Sequence, residues 1–191
     1  RGDGMTVEGD CDFDNITATG AVSFGGSTIK GQLVLNGATL DAGNSGRPAL
    51  NLYQSTVEGG VWMQTAHISA DEHRPFSATG VVSLAEATLG TIVADGATFT
   101  NPEDSALDGD GMKVEGGCDF DNMTATGAVS LRRGTVNGLL SFIGATLEYP
   151  QGHALNVDNL TAKSDVFMDR LTATGAVSFG GSTIEIGRAH V

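Results

Sequence analysis

Internal repetition constrains this chain more than any other feature of its sequence. Residues 3–23 read DGMTVEGDCDFDNITATGAVS and residues 110–130 read DGMKVEGGCDFDNMTATGAVS, near copies at an offset of 107. A finer repeat lies beneath. One unit appears as GAVSFGGSTIKGQLVLNGATL (20–40), GVVSLAEATLGTIVADGATF (80–99) and GAVSLRRGTVNGLLSFIGATL (127–147), with a truncated fourth at 175–184. A second unit runs from residue 49 to 70 and recurs at 106–127 and 154–175. A unit this short cannot bury its apolar face alone, so successive units must stack on one another.

The spacing inside a unit identifies the element that stacks. In residues 20–40 the apolar side chains fall at Val22 and Phe24, then Ile29, then Leu33 and Leu35, then Leu40. Pairs two residues apart face one side of a strand, and no 3.6-residue stripe is sustained. Glycine is abundant, at 28 residues, as expected where turns are many. The pattern predicts an all-β fold. The expected fold is a single-stranded parallel β-helix (β-solenoid) of about 22-residue coils, seven to eight coils in all, with little or no helix. At about 4.8 Å per coil the rod is about 36 Å long.

The stacking columns follow from the alignment. Phe24, Leu84, Leu131 and Phe179 form one interior column type, and Phe13, Met63, Phe120 and Met168 another. Ala38, Ala97 and Ala145 mark tight corners, each followed by an outward threonine and then by inward Leu40, Phe99 or Leu147. Three polar insertions, at 41–48, 101–105 and 148–153, should leave the rod on one side, and 71–76 interrupts a different corner.

The repeat covers residues 1–184, and the sequence enters and leaves mid-repeat, so a longer protein with capping elements is expected. Residues 185–191 break the pattern, and the terminal IGRAHV resembles translated sequencing-adapter read-through; this segment is expected to be a non-native tail. No signal peptide is visible, and no apolar run approaches the roughly 20 residues of a membrane helix, so no direct membrane insertion by this chain is expected.

Charge narrows the partners. Ten basic against 23 acidic residues give a net charge of −13, a surface that repels phosphate backbones and excludes ordinary nucleic-acid binding. A protein partner is expected instead, with end-to-end or dimeric association of the rod as a further mode.

Few residues offer chemistry. Cys11 and Cys118 occupy the same repeat position four coils apart, about 19 Å by ladder spacing, too far for an intrachain disulfide. They align with Val61 and Val166, which marks them as buried packing residues. Asp10, Asp12 and Asp14 resemble the start of a calcium loop, but Asn15 stands where the loop needs glycine and Ala21 where it needs glutamate. Two readings remain, a solvated acidic face or a weak Ca²⁺ site at Asp12 and Asp14 or at Asp119 and Asp121. No cofactor is expected. No nucleophile has a matching base, so no catalytic residue is assigned and the chain is not expected to be an enzyme.

The Thr-x-Thr elements Thr17/Thr19, Thr124/Thr126 and Thr172/Thr174, with Ser77/Thr79 between, resemble the hydroxyl ranks of ice-binding faces. By sequence they fall only on alternate coils and run into a corner glycine, which counts against that use. One further feature stands out. Val61 and Met63 face inward, so Trp62 faces outward. The expected binding patch is Trp62, Tyr53, His67 and Arg74, with His67 exposed before an inward Ile68. The competing expectation is that Phe76 folds back to cover Trp62.

The Ala-Thr-Leu steps, with leucine every five or six residues, resemble bacterial pentapeptide-repeat and related β-solenoid proteins across nearly all of residues 1–184. Strict pentapeptide repeats keep five residues per side, whereas this chain alternates five and six. The resemblance implies a bacterial source, a cytoplasmic location with secretion left open, and a coiled parallel architecture. Three functions are weighed: a structural or protein-interaction rod acting as spacer or docking module; an acidic DNA mimic acting on a DNA-binding enzyme; and a carbohydrate-binding or carbohydrate-active β-helix. The scattered acids count against the second, and the lone adjacent basic pair Arg132/Arg133, with no obvious acidic partners on its own coil, counts against the third.

Overall fold

The computed structural model describes residues 2–43, 46–69 and 71–185, together with the backbone of 189–190. Among these residues there is no helix; the chain is a parallel β-solenoid. Each coil runs through four short segments. Face 1 is typified by Val22–Ser23, face 2 by Thr28–Ile29, face 3 by Gln32–Val34 and face 4 by Thr39–Asp41. Faces 2 and 3 are eight-stranded parallel sheets, giving seven coil steps. Faces 4 and 1 merge into one sheet because strands such as Thr98–Asp108 and Thr124–Ser130 run through the corner between them.

The coil length varies for an identifiable reason. Thr6 pairs with Thr28, and Lys113 with Thr135, each 22 residues on. Thr28 pairs with Thr56 and Thr56 with Thr88, where insertions lengthen the coil. The loops expected at 101–105 and 148–153 lie at the corner from face 4 to face 1, where the register shifts, and the insertion at 41–48, of which 44–45 lie outside the described residues, connects the same two faces. The fourth insertion replaces the corner from face 3 to face 4 with a small antiparallel hairpin, Ala66–His67 against His73–Arg74.

Two corners of the coil are made by one device. In Phe24-Gly25-Gly26-Ser27 the Ser27 N–H donates to the Phe24 carbonyl at 3.0 Å, and Gly26 has φ 65°. Leu84–Ala87, Phe120–Met123 and Phe142–Ala145 repeat the bond with a left-handed third residue, the signature of a type II turn. The first residue of each turn points into the core and the last is small or apolar and also buried. The expected columns Phe24/Leu84/Leu131 and Phe13/Phe120/Met168 are these turn-opening positions, Met63 keeps its buried place where the hairpin replaces the turn, and Ala38, Ala97 and Ala145 close turns. Phe179, in the last coil of its column, is 43% exposed. Phenylalanines stack between neighbouring coils, with Phe120 and Phe142 centroids 5.0 Å apart.

Register brings Cys11, Leu33, Val61, Ile92 and Cys118 into one column, so the two buried, free thiols stand four coil steps apart. At the corner from face 2 to face 3, Gly59 N–H donates to Gly31 O, Gly116 N–H to Gly90 O, and Gly138 N–H to Gly116 O. Backbones approach so closely there that a Cβ on Gly138 would lie 2.7 Å from the Gly116 carbonyl carbon. Of the expected tail, residues 186–188 and 191 lie outside the described residues. The Ala189–His190 backbone pairs in parallel with Val166–Phe167 on face 3.

One expectation is corrected here. On face 4 the threonines do not alternate by coil. Thr98 and Thr100 pair with Thr124 and Thr126, and Thr146 joins Thr124 to Thr172, so hydroxyls recur on every coil. The intermediate coils read Thr-Phe-Thr or Thr-Leu-Glu rather than Thr-Ala-Thr, because the residue between is core and varies in size while its neighbours face out.

Candidate functional site

The acids sit at defined places in the coil. Where the residue before a type II turn is Asp or Asn, its side chain caps the turn from within: Asp12 accepts the Asp14 N–H at 3.0 Å, Asp119 the Asp121 N–H at 3.0 Å, and Asn156 the Asp158 N–H at 3.0 Å. Where that residue is Ser130, Ser141 or Ser178, the cap comes from the preceding coil. Asp121 accepts the Ser141 hydroxyl at 2.5 Å and the Ile143 N–H at 2.8 Å; Asp110 and Asp158 do the same for Ser130 and Ser178. Asp14 likewise accepts the Asn36 N–H at 2.8 Å. These bonds satisfy turn N–H groups that the coil ladder leaves over. Asp12 and Asp14, and Asp119 and Asp121, are thus placed as adjacent turn caps, and among the described residues no group of three or more His, Cys, Asp or Glu is gathered as a metal cage.

The expected Trp62 patch is divided by the winding of the coil. Tyr53 is 42% exposed at the corner between faces 1 and 2, whereas Trp62 stands on face 3 between Val34 and Val93. Trp62 is partly buried, and its indole N–H is covered without a hydrogen-bond partner. His67 and Arg74 do come together on the hairpin. The His67 ring meets His73 edge to face at 4.6 Å, and Arg74 reaches back over two coils. Its Nη1 donates to the Asn15 carbonyl at 3.0 Å and its Nη2 to the hydroxyls of Thr17 and Thr39 at 2.9 and 3.0 Å. Two expectations are corrected. Ile68 faces out, 46% exposed, because the chain has already left the coil for the hairpin. Phe76 does not cover Trp62; it re-enters the core where the corner alanines sit in neighbouring coils and packs on Phe99 at 5.7 Å.

A concavity lies farther along the same face as Trp62. A groove of about 290 Å³ is lined by Val93, Asp119, Leu139, Ser141, Ile143 and Phe167, among others. Leu139 is 40% exposed at its rim. Asp119 forms part of its wall, and its carboxyl is raised above the usual range, chiefly by burial and also by the neighbouring charges of Asp121 and Asp95. Below it the Cys118 thiol is pushed up strongly by burial and stays protonated. The groove therefore offers apolar side chains and a partly desolvated negative charge. Sequence reading missed it because its residues come from four coils; the signal was present as outward Val93, Asp119, Ser141 and Phe167 at one repeat position.

No family model, no curated protein and no solved structure matches this chain.

Proposed function

We propose that this chain is a protein-interaction solenoid, a rigid docking rod whose working surface is face 3. The single observation that carries this reading is the groove of Val93, Leu139, Ile143 and Phe167 around Asp119. Exposed apolar surface gathered in a groove and flanked by charge favours a protein ligand. The chemistry it fits is a segment with one aliphatic or aromatic side chain for the groove and a nearby Lys or Arg for Asp119 and Asp121. A net charge of −13 would steer such a basic segment toward the rod. Rigidity is supplied by the stacked core, so the groove needs little ordering on binding.

The test is selection of a random peptide library displayed on phage against the immobilised full chain. The expected result is enrichment of peptides that pair an apolar side chain with a basic one, and loss of their binding in Leu139→Asp and Phe167→Asp proteins of unchanged melting temperature. Absence of enrichment, or peptides that bind both variants as well as the parent, would overturn the reading.

A further inference from the structure

Face 4 presents a two-dimensional array of threonines that the docking groove does not use. From Ser77–Thr79 to Thr172–Ser178 it crosses five coils, with two outward positions on each. Eight of those ten positions are threonine; Ser77 and Glu148 are the exceptions. Along a strand the outward positions are two residues apart, about 6.7 Å, and between coils they are one ladder step apart, about 4.8 Å. The register within face 4 is unbroken, because the shifts fall beyond Thr100, Thr126 and Glu148, past the array.

The threonine hydroxyls in the middle of this array make no bond among the described residues, whereas Ser77 at its first coil bonds to Thr39. Among the described residues no side chain or backbone group bonds to Thr98, Thr100, Thr124, Thr126 or Thr146 through its hydroxyl, whereas Thr17 and Thr39 in the first two coils are taken by Arg74. Each threonine sets a hydroxyl beside a methyl and has few rotamers, so the array is ordered before anything binds. Face 2 differs: its threonine column, such as Thr28 and Thr135, runs beside the charged Lys30, Glu115 and Lys163.

We infer that face 4 binds the surface of ice. Its two repeats lie close to in-plane oxygen spacings of the hexagonal lattice, so rows of hydroxyls can take lattice positions while the methyl groups exclude competing liquid water. The ligand is solid water itself, an uncharged periodic lattice, which is why a surface with charge elsewhere carries an uncharged array here. Glu148 is the one charged interruption, near one edge.

The experiment partitions the fluorescently labelled full chain between liquid and a slowly growing ice hemisphere, and follows crystal shape in a supercooled droplet. The expected result is incorporation into the ice and faceted growth, both lost in Thr100→Tyr and Thr126→Tyr. Thr135→Tyr on face 2 retains both. Circular dichroism melts establish that all three variants fold, which outward substitutions at these positions permit. Exclusion of the parent chain from ice, or equal loss in Thr135→Tyr, would overturn the inference. Neither outcome bears on the face 3 groove, which shares no residue with the array.

Discussion

Asp110 and Arg132 are joined across one coil step. Asp110 Oδ1 accepts the Arg132 backbone N–H at 3.1 Å, and its Oδ2 accepts the Arg132 Nε–H at 2.9 Å. Burial alone raises this carboxyl, but the hydrogen bonds from Arg132 and Ser130 and the guanidinium charge outweigh it and hold it below the ordinary value of 3.8. A carboxylate depressed in the folded state stabilises it above the unfolded value, and that stability is lost as pH falls through the folded value. Asp110→Asn should therefore cost about 2 kcal/mol near neutral pH. The deficit should shrink below pH 3.8 as the parent loses the same contribution. Urea melts at both pH values check this; a variant as stable as the parent at neutral pH refutes it.

Asp119 has the opposite sign. Burial is the largest cause of its raised carboxyl, and the Asp121 N–H bond only partly offsets it. The folded state then binds the proton more tightly than the unfolded one, so this group's contribution improves as pH falls and is unfavourable at neutral pH. Asp119→Asn keeps an acceptor for the Asp121 N–H and removes the charge. A small rise in melting temperature is expected at neutral pH, vanishing in acid. A fall in melting temperature at neutral pH would show that the charge is not what burial penalises.

Glycine matters at one corner above all. Gly138 N–H donates to Gly116 O at 2.7 Å, and an added Cβ would sit 2.7 Å from the Gly116 carbon and 2.8 Å from its oxygen. Neither neighbour is a flexible side chain, so the coils must separate. Gly138→Ala should cost about 1–3 kcal/mol. At Gly9, an equivalent position in the first coil, nothing lies within 4 Å of the added atom, and Gly9→Ala should be close to neutral. Paired thermal melts of the two variants decide the matter; equal effects would mean that backbone freedom, not the close approach, governs this corner.

How much of this was legible follows from what repeats. The inward columns were readable because Val22, Phe24, Ile29 and their equivalents recur in identical order, and apolar spacing reports the strand period directly. Coil length was readable only for uninterrupted coils such as 113 to 135. The Ser–Asp links were hidden because partners such as Asp121 and Ser141 are 20 residues apart and meet only through stacking. The separation of Tyr53 from Trp62 was hidden for a like reason: the two are near in sequence, but an intervening corner turns Tyr53 onto another side of the coil. The outward threonines Thr39, Thr98 and Thr146 were readable after the corner alanines, but their union with the Thr-x-Thr elements in one array was hidden by Phe99 and Leu147, core residues that disguise the repeat.

The hairpin at 66–74 acts as a strap. Arg74 holds the Asn15 carbonyl and the hydroxyls of Thr17 and Thr39, which belong to the first two coils. In a stack where each coil touches only its neighbours, such a tie should matter locally. Arg74→Ala is expected to speed amide hydrogen exchange across residues 15–39 by several-fold while leaving residues 120–147 unchanged. A uniform increase along the rod would mean that the arginine supports global folding, and no increase would mean that the tie contributes nothing.

The two cysteines report on this gradient without mutation. Both thiols lie in one column and both are raised, Cys118 strongly by burial, Cys11 by burial and then by the Asp10 charge. Only the thiolate reacts readily, so alkylation requires each site to open. Cys118 has coils on both sides, Ile92 before it and Leu140 after, whereas Cys11 pairs with Leu33 alone. Cys11 should be modified first, through fraying of the first coil, and Cys118 only at the rate of global unfolding. Mass spectrometry after timed iodoacetamide pulses separates the two. Equal rates in the absence of denaturant would show that the stack opens as one unit, and Arg74→Ala should accelerate Cys11 alone if the strap secures the coils beside it.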